Sequence, residues 1–498
     1  MTSRILAATI VAASVAAATG AGAQALRIGL QSDVDTLDPV QSNNIAARSV
    51  FTALCDKLVD IDEKLGFQPQ LAQSWSWSAD RTTLTMKLRP GVVFHDGSPF
   101  DAAAVKANLE RALNLPGSRR RSEISAIAEI VPVDATTAEI RLSAPSAPLL
   151  SQLADRAGMM LSPAAFASAA TRPVCSGPFE LVERVAQDRI VLKRFERYWD
   201  RARVALEQVV FRPMPDTTVR LLNLRSGAID LAERVAASDA AAVAADAKLR
   251  LVEITGLGFT SIIVNVGNGE QAATPLGRDP RVRAALDLAI DRAALNRVVF
   301  EGRNEPGNQP VPPSSPYYQA SVPLRGADVA AARTLLAQAG QTAPTIKLLT
   351  PNTTEFRAMA EVIQAMAGEA GFRLEIDSAE LATAAQRMTR GEFQAFLIGW
   401  SGRVDPDGNI YAFNHCRGSN NDSKFCDSRV DAALDRARAE LDEGARRAAY
   451  AEAAAIYLPA LHRIYLVHEN WRFALSGRVA GFRAIPDGVI RLQGLRLD

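Results

Sequence analysis

Between Thr345 and Trp400 the hydrophobic period switches from two to 3.6 and back more than once, and that alternation limits the fold more than any other feature. Thr345 to Thr350 is a short apolar strand. From Thr354 to Ala370, Phe356, Met359, Ala360, Ile363 and Ala367 share one helical face, and Gly371 stops the helix. Phe372, Leu374 and Ile376 alternate as a strand, Ala379 to Arg390 reads as a helix up to Gly391, and Gln394 to Trp400 is a third strand. Strands alternating with helices at this spacing imply an α/β fold with a parallel sheet and right-handed crossovers. Ligands of such open sheets sit beyond the carboxyl ends of the strands. That rule selects Thr350 and Asn352 at one strand end, and Trp400, Arg403 and Asp405 at another.

With 498 residues the chain is too long for a single core and should form two or three domains. A net charge of +1 supplies no general attraction for nucleic acid or membrane. The run Arg119-Arg120-Arg121 follows Pro116-Gly117 and reads as a solvated loop. At the N-terminus, Arg4 precedes an uncharged, alanine-rich run from Ile5 to Thr19, and Ala21-Gly22-Ala23 gives the small-residue pattern of a signal peptidase site. The run is short of the ~20 residues that a permanent spanning helix needs. No cysteine follows it until Cys55, which disfavours a lipid anchor. The expectation is an exported chain cleaved near Ala23, periplasmic and without a membrane anchor.

Other local readings are physical as well. A strand over 26–31 runs into a loop ending Leu37-Asp38-Pro39, and further strands fall at Thr83 to Leu88 and Glu139 to Leu142. Asp96-Gly97 makes a turn, after which Asp101 caps a helix burying Val105, Leu109 and Ala112. Asp279 caps another helix with Pro280 in its first position. The four cysteines suit an oxidising compartment, and none lie at zinc-site spacing. Cys416 and Cys426 bracket a polar loop, but four cysteines allow three connectivities, and sequence alone does not choose among them.

Phe94-His-Asp-Gly97, Gly177-Pro-Phe179, Arg281-Val-Arg283, the stretch from Ala331 to Gly340 and Gly399-Trp-Ser-Gly-Arg-Val-Asp-Pro-Asp407 stand in this order along the chain. Together they resemble the family 5 solute-binding proteins of ABC importers, the dipeptide, oligopeptide and nickel-binding type. The resemblance implies a two-lobed periplasmic binding protein fold (type II, cluster C) with an extra subdomain inserted in the first lobe. The expected segments are a signal peptide over 1–23, the first lobe over 24–65, 171–262 and 481–498, the inserted subdomain over 66–170, and the second lobe over 263–480. Chain crossings between lobes are expected near 257–270 and 475–485. The resemblance further implies a monomer that closes on a small-molecule or peptide ligand and docks on an inner-membrane permease, with no cofactor, no catalysis and no nucleic-acid partner. It places Asp38 in a loop at the cleft mouth. It pairs Cys416 with Cys426, leaving Cys55 and Cys175 to pair across a long loop or to remain buried thiols.

The chain departs from the dipeptide receptors at the ligand. Where those relatives hold the ligand's ammonium with an Asp after the "gly-trp-thr-gly" turn, this sequence has Arg403, and the region near Thr350 and Asn352 has no basic residue to take a peptide carboxylate. An anionic or neutral polar ligand fits better, since a guanidinium binds carboxylate or phosphate bidentately. Arg403 has a second reading, an ion pair with Asp405 or Asp407. Arg156 is a candidate second cation, on the strength of relatives with an arginine nearby, and Trp400 a candidate stacking wall. His415 reads as a metal ligand in the manner of nickel-binding relatives or as a loop residue, and His462 and His468 as structural. The competing functions are a secreted two-carboxylate hydrolase, for which no carboxylate pair stands out, and a nickel-complex or signalling receptor of the same fold.

Overall fold

A computed structural model describes residues 25–42 and 44–498, so the expected leader lies outside the described residues. Two large sheets carry the two lobes. The seven-stranded sheet runs in the order Leu249–Thr255, Asn470–Ser476, Leu231–Ala232, Ala25–Leu30, Gln208–Pro213, Arg189–Arg194, Phe179–Val185. The six-stranded sheet runs Glu305–Pro306, Arg463–His468, Phe259–Val264, Ala395–Trp400, Thr345–Pro351, Arg373–Ala379. A separate four-stranded antiparallel sheet, built from strands between Ala72 and Leu142, forms the inserted subdomain with the helix Ala102–Asn114. Asp101 caps that helix by accepting the Ala104 N–H at 2.9 Å, and Val105, Leu109 and Ala112 lie in its core.

The alternating segment folds as its periodicity demands. Thr345–Pro351 pairs in parallel with Arg373–Ala379 and with Ala395–Trp400. The intervening helix Thr354–Ala370 buries Met359, Ala360, Ile363 and Ala367, and Gly371 ends it at φ 101°. These side chains join Leu348, Leu374 and Leu397 in the core of the second lobe.

The signature segments are joined to each other through His95. Its Nδ1 accepts the Cys175 N–H at 3.3 Å, so Nε2–H donates to the Gly177 carbonyl at 3.0 Å. Burial pulls the imidazole down to about 4, against the Gly177 hydrogen bond, so the ring is neutral near pH 7. Cys175 is disulfide-bonded to Cys55, and Cys416 to Cys426. The chain-entropy model gives ~5 kcal/mol for the long loop and ~3 kcal/mol for the short one.

Strand membership moves the expected lobe boundaries. Phe259–Val264 already belongs to the second lobe's sheet, and Asn470–Ser476 is already back in the first. The chain therefore crosses at Gly256-Leu257-Gly258 and returns at Glu469, upstream of the expected limits at 262/263 and 480/481. The reason is pairing: Asn470–Ser476 aligns along the whole of Leu249–Thr255. The two crossings are bonded to each other, with the Gly256 N–H donating to the Glu469 carbonyl at 2.8 Å and His468 Nδ1–H donating to the Gly258 carbonyl at 2.7 Å. A Cβ on Gly258 would lie 1.9 Å from the Trp400 carbonyl oxygen, so no side chain fits there.

Candidate functional site

The lobes touch across the cleft. The Ala147 N–H donates to the Arg438 carbonyl at 2.8 Å, Arg81 pairs with Glu440 at 3.0 Å, and Val404 packs against the subdomain's core.

On the second-lobe side, the strand Ala395–Trp400 ends in a turn that feeds the helix Asp407–Asn414. Asn409 organises this turn. Its Oδ1 accepts the Trp400 Nε1–H at 2.9 Å and the Arg403 N–H at 2.8 Å, while its Nδ2 donates to the Arg403 carbonyl at 2.9 Å. The Arg403 guanidinium lies 4.4 Å above the Trp400 ring and donates to the Gly402 carbonyl at 2.8 Å. Trp400 thus supports Arg403 on one face, a cation–π contact, and meets Phe413 edge to face at 5.1 Å.

Neither neighbouring aspartate is available to Arg403. Arg446 donates two hydrogen bonds to Asp405, at 2.7 and 2.6 Å, and Arg438 donates two to Asp407, at 2.8 and 2.7 Å. Asp405 is therefore buried and anchored to Arg446 within the second lobe. The reading of Arg403 as a partner of Asp405 or Asp407 falls for the same reason.

Across the cleft stands a cluster of guanidiniums. Asp155 caps the short turn Arg156–Gly158, accepting the Arg156 N–H at 2.8 Å, and pairs with Arg48 at 3.1 Å. Arg156 and Arg120 both donate to the Ser42 carbonyl, at 3.1 and 3.2 Å, and Arg120 also pairs with Glu123. Both arginines are 2% exposed, and the Nε atom of each has no hydrogen-bond partner among the described residues. Burial, then the Arg120 charge, pulls the Arg156 guanidinium down to about 9, against Asp155. Burial opposes the Asp155 charge, yet Arg48, Arg156, Arg403 and Arg120 hold its carboxyl well below the usual range. Arg403 is lowered by burial against the pull of Asp155 and Glu123, which places it within electrostatic reach of this cluster.

The other sequence-selected residues are dispersed. Asp38 is buried and takes two hydrogen bonds from Arg111, at 3.1 and 2.5 Å, plus the Val40 N–H at 3.0 Å. It fixes its loop to the subdomain helix, with three of its roughly four acceptor positions taken within the fold. Thr350 is buried with a hydroxyl that has no partner among the described residues, and Asn352 is exposed at its strand end. His415 stacks on Tyr411 at 4.4 Å with Nδ1 accepting the Arg417 N–H, and His462 lies between Ser423 and Asn414. Sequence reasoning missed Arg120, Arg48, Asp155 and Asn409. The solvated-loop reading fails at Arg120, which turns inward to the Ser42 carbonyl while Arg119 and Arg121 remain exposed.

Residues 66–421 match the family model "Bacterial extracellular solute-binding proteins, family 5 Middle". The glutathione-binding protein GsiB of Salmonella paratyphi A is 30% identical over 509 residues, covering 98% of this chain and 97% of that protein. Among solved structures, the binding protein AgaA from A. tumefaciens R10, in complex with agropinic acid, is 26% identical with a TM-score of 0.83 over 95% of this chain and 99% of that one. A dipeptide-binding protein from Pseudoalteromonas sp. SM9913, in complex with Met-Leu, is 23% identical with a TM-score of 0.85, covering 95% and 100%, and shares the fold.

Proposed function

Since the chain belongs to the family 5 extracellular solute-binding proteins of ABC importers, we propose that it captures a small anionic, peptide-like solute in the periplasm and delivers it to its membrane permease. The observation that carries this reading is Arg403, held by Asn409 and Trp400 at the cleft while Asp405 and Asp407 are each taken by another arginine. Arg403 holds an acid group of the ligand from the second lobe and Arg156 from the first. Trp400 is the platform beneath Arg403. Two relatives support an acid-bearing ligand: one is named for glutathione, and the other holds agropinic acid. The ligand does its work by closing the cleft, since closure adds contacts from the opposite lobe. Among the described residues no helix is long and apolar enough to cross a membrane.

Calorimetric titration with glutathione, agropinic acid and acidic dipeptides tests the ligand class, and small-angle scattering tests closure. Saturable heat with compaction is expected. A charge-assisted contact contributes ~1.5–3 kcal/mol, so Arg403→Ala should weaken binding roughly tenfold to a hundredfold. Absence of heat with every acid in the set, or turnover of the peptide, would overturn the reading.

A further inference from the structure

The charges that meet at the cleft do not balance. Val404, the neighbour of Arg403, packs against the subdomain's core, which brings four guanidiniums, those of Arg48, Arg120, Arg156 and Arg403, toward two carboxylates, Asp155 and Glu123. Asp487 approaches Arg48 only at 3.8 Å and is held at 2.9 Å by Arg491, which in turn binds Asp60. Arg48 pairs with Asp155 and Arg120 with Glu123, which leaves Arg156 and Arg403 without a short carboxylate contact among the described residues. Arg403 is the member carried by the second lobe, so it alone leaves when the lobes part. What it meets on closing is a first-lobe cluster whose own charge is positive, with two buried Nε–H donors already unpartnered among the described residues. Like charges brought together out of water repel strongly.

Resting on the receptor reading above, we propose that closure is gated by charge: without ligand, repulsion between Arg403 and the Arg120–Arg156 pair holds the lobes open, and closure requires a solute that brings two acid groups into the cleft. A neutral solute, or one with a single acid group, leaves part of the repulsion in place and binds without full closure. Specificity for diacids then comes from the closing step as well as from direct contacts. The unpaired Nε–H groups are the donors that such a ligand engages.

Small-angle scattering of the unliganded protein tests this directly. Arg403→Gln removes the second-lobe charge and should shift the open-to-closed ratio toward closed by about tenfold, while Arg403→Lys, which keeps the charge, should stay as open as the parent. Raising sodium chloride from 0.02 to 0.5 M should also compact the unliganded parent, since the open cleft is solvated and its charges are screened. In titrations, glutathione should compact the parent, and its monoethyl ester should bind at least tenfold more weakly and compact it less. A parent, Arg403→Gln and Arg403→Lys series of equal radius, insensitive to salt, would overturn the gate. If Arg403→Gln also loses affinity in that case, the anion-site reading survives without the gate. Should Arg403→Gln close unaided while glutathione, agropinic acid and acidic dipeptides all fail to bind the parent, the gate stands and the proposed ligand class fails.

Discussion

Adding one methyl group at Gly408 isolates the position of Arg403 from its charge. Gly408 is in the first turn of the helix Asp407–Asn414, outside the left-handed backbone region, so alanine is compatible with the backbone. Its Cβ would fall 2.6 Å from Arg403 Cγ and 2.7 Å from Arg403 Cβ. These are the atoms nearest the backbone, so the side chain cannot swing clear by a distal torsion. Rotation about its first torsion relieves only the Cγ contact, since Cβ is fixed to the backbone, so the turn that carries Arg403 must shift as well. Overpacking of this kind costs about 1–3 kcal/mol, and replacing glycine in a helix returns roughly 0.5–1 kcal/mol. Unfolding in urea should therefore show a loss of at most about 2.5 kcal/mol. Affinity should fall too, by roughly tenfold to a hundredfold, because a charge-assisted contact of ~1.5–3 kcal/mol is misplaced. Titration with glutathione alongside the unfolding curve measures both. The double variant settles the cause: once Arg403 is alanine, Gly408→Ala should have no further effect on binding. An equal loss of affinity in the Arg403→Ala background would refute the argument, since the methyl group would then act through something other than the guanidinium.

Two further outcomes concern stability. Replacing Cys416 and Cys426 by serine should cost ~3 kcal/mol, and replacing Cys55 and Cys175 ~5 kcal/mol, read from denaturation midpoints; the reverse order would count against loop length as the cause. His95, pulled down to about 4 from its ordinary 6.5, contributes stability that is complete above pH 6.5 and lost as pH falls toward 4. Over that window the parent's stability should decline more steeply than that of His95→Asn, by up to ~1.4 kcal/mol per pH unit, and identical slopes would show that the ring is not the titrating group.

Local periodicity made much of this fold legible. The strands and helices from Thr345 to Trp400 needed only the spacing of apolar residues and the glycines that end each helix. The caps at Asp101 and Asp279 were readable for the same reason, since cap and helix are adjacent. Residues whose role depends on a distant partner were not. Asp38 and Asp405 look like cleft residues by position, but their arginines lie 73 and 41 residues away, and nothing local announces them. Arg120 sits in a basic run that resembles solvent-facing loop, and its inward turn follows from the Ser42 carbonyl, 78 residues upstream. The return crossing was misplaced because register between Asn470–Ser476 and Leu249–Thr255 is a long-range choice.

That same pairing sets a timetable for folding. Leu249–Thr255 reaches the first lobe's sheet only through Asn470–Ser476, which also flanks Leu231–Ala232. Until the ribosome has made residue 476, two strand edges in that lobe have no neighbour to pair with. At about 5–20 residues per second, residue 470 appears roughly 25–95 s after synthesis begins. The second lobe's Phe259–Val264 likewise waits for Arg463–His468, although it can pair earlier with Ala395–Trp400. Contacts of such long sequence separation form slowly even in a finished chain. The nascent polypeptide is thus kept from completing its first lobe until synthesis is almost over, so both lobes close their sheets together at the end of synthesis instead of one after the other.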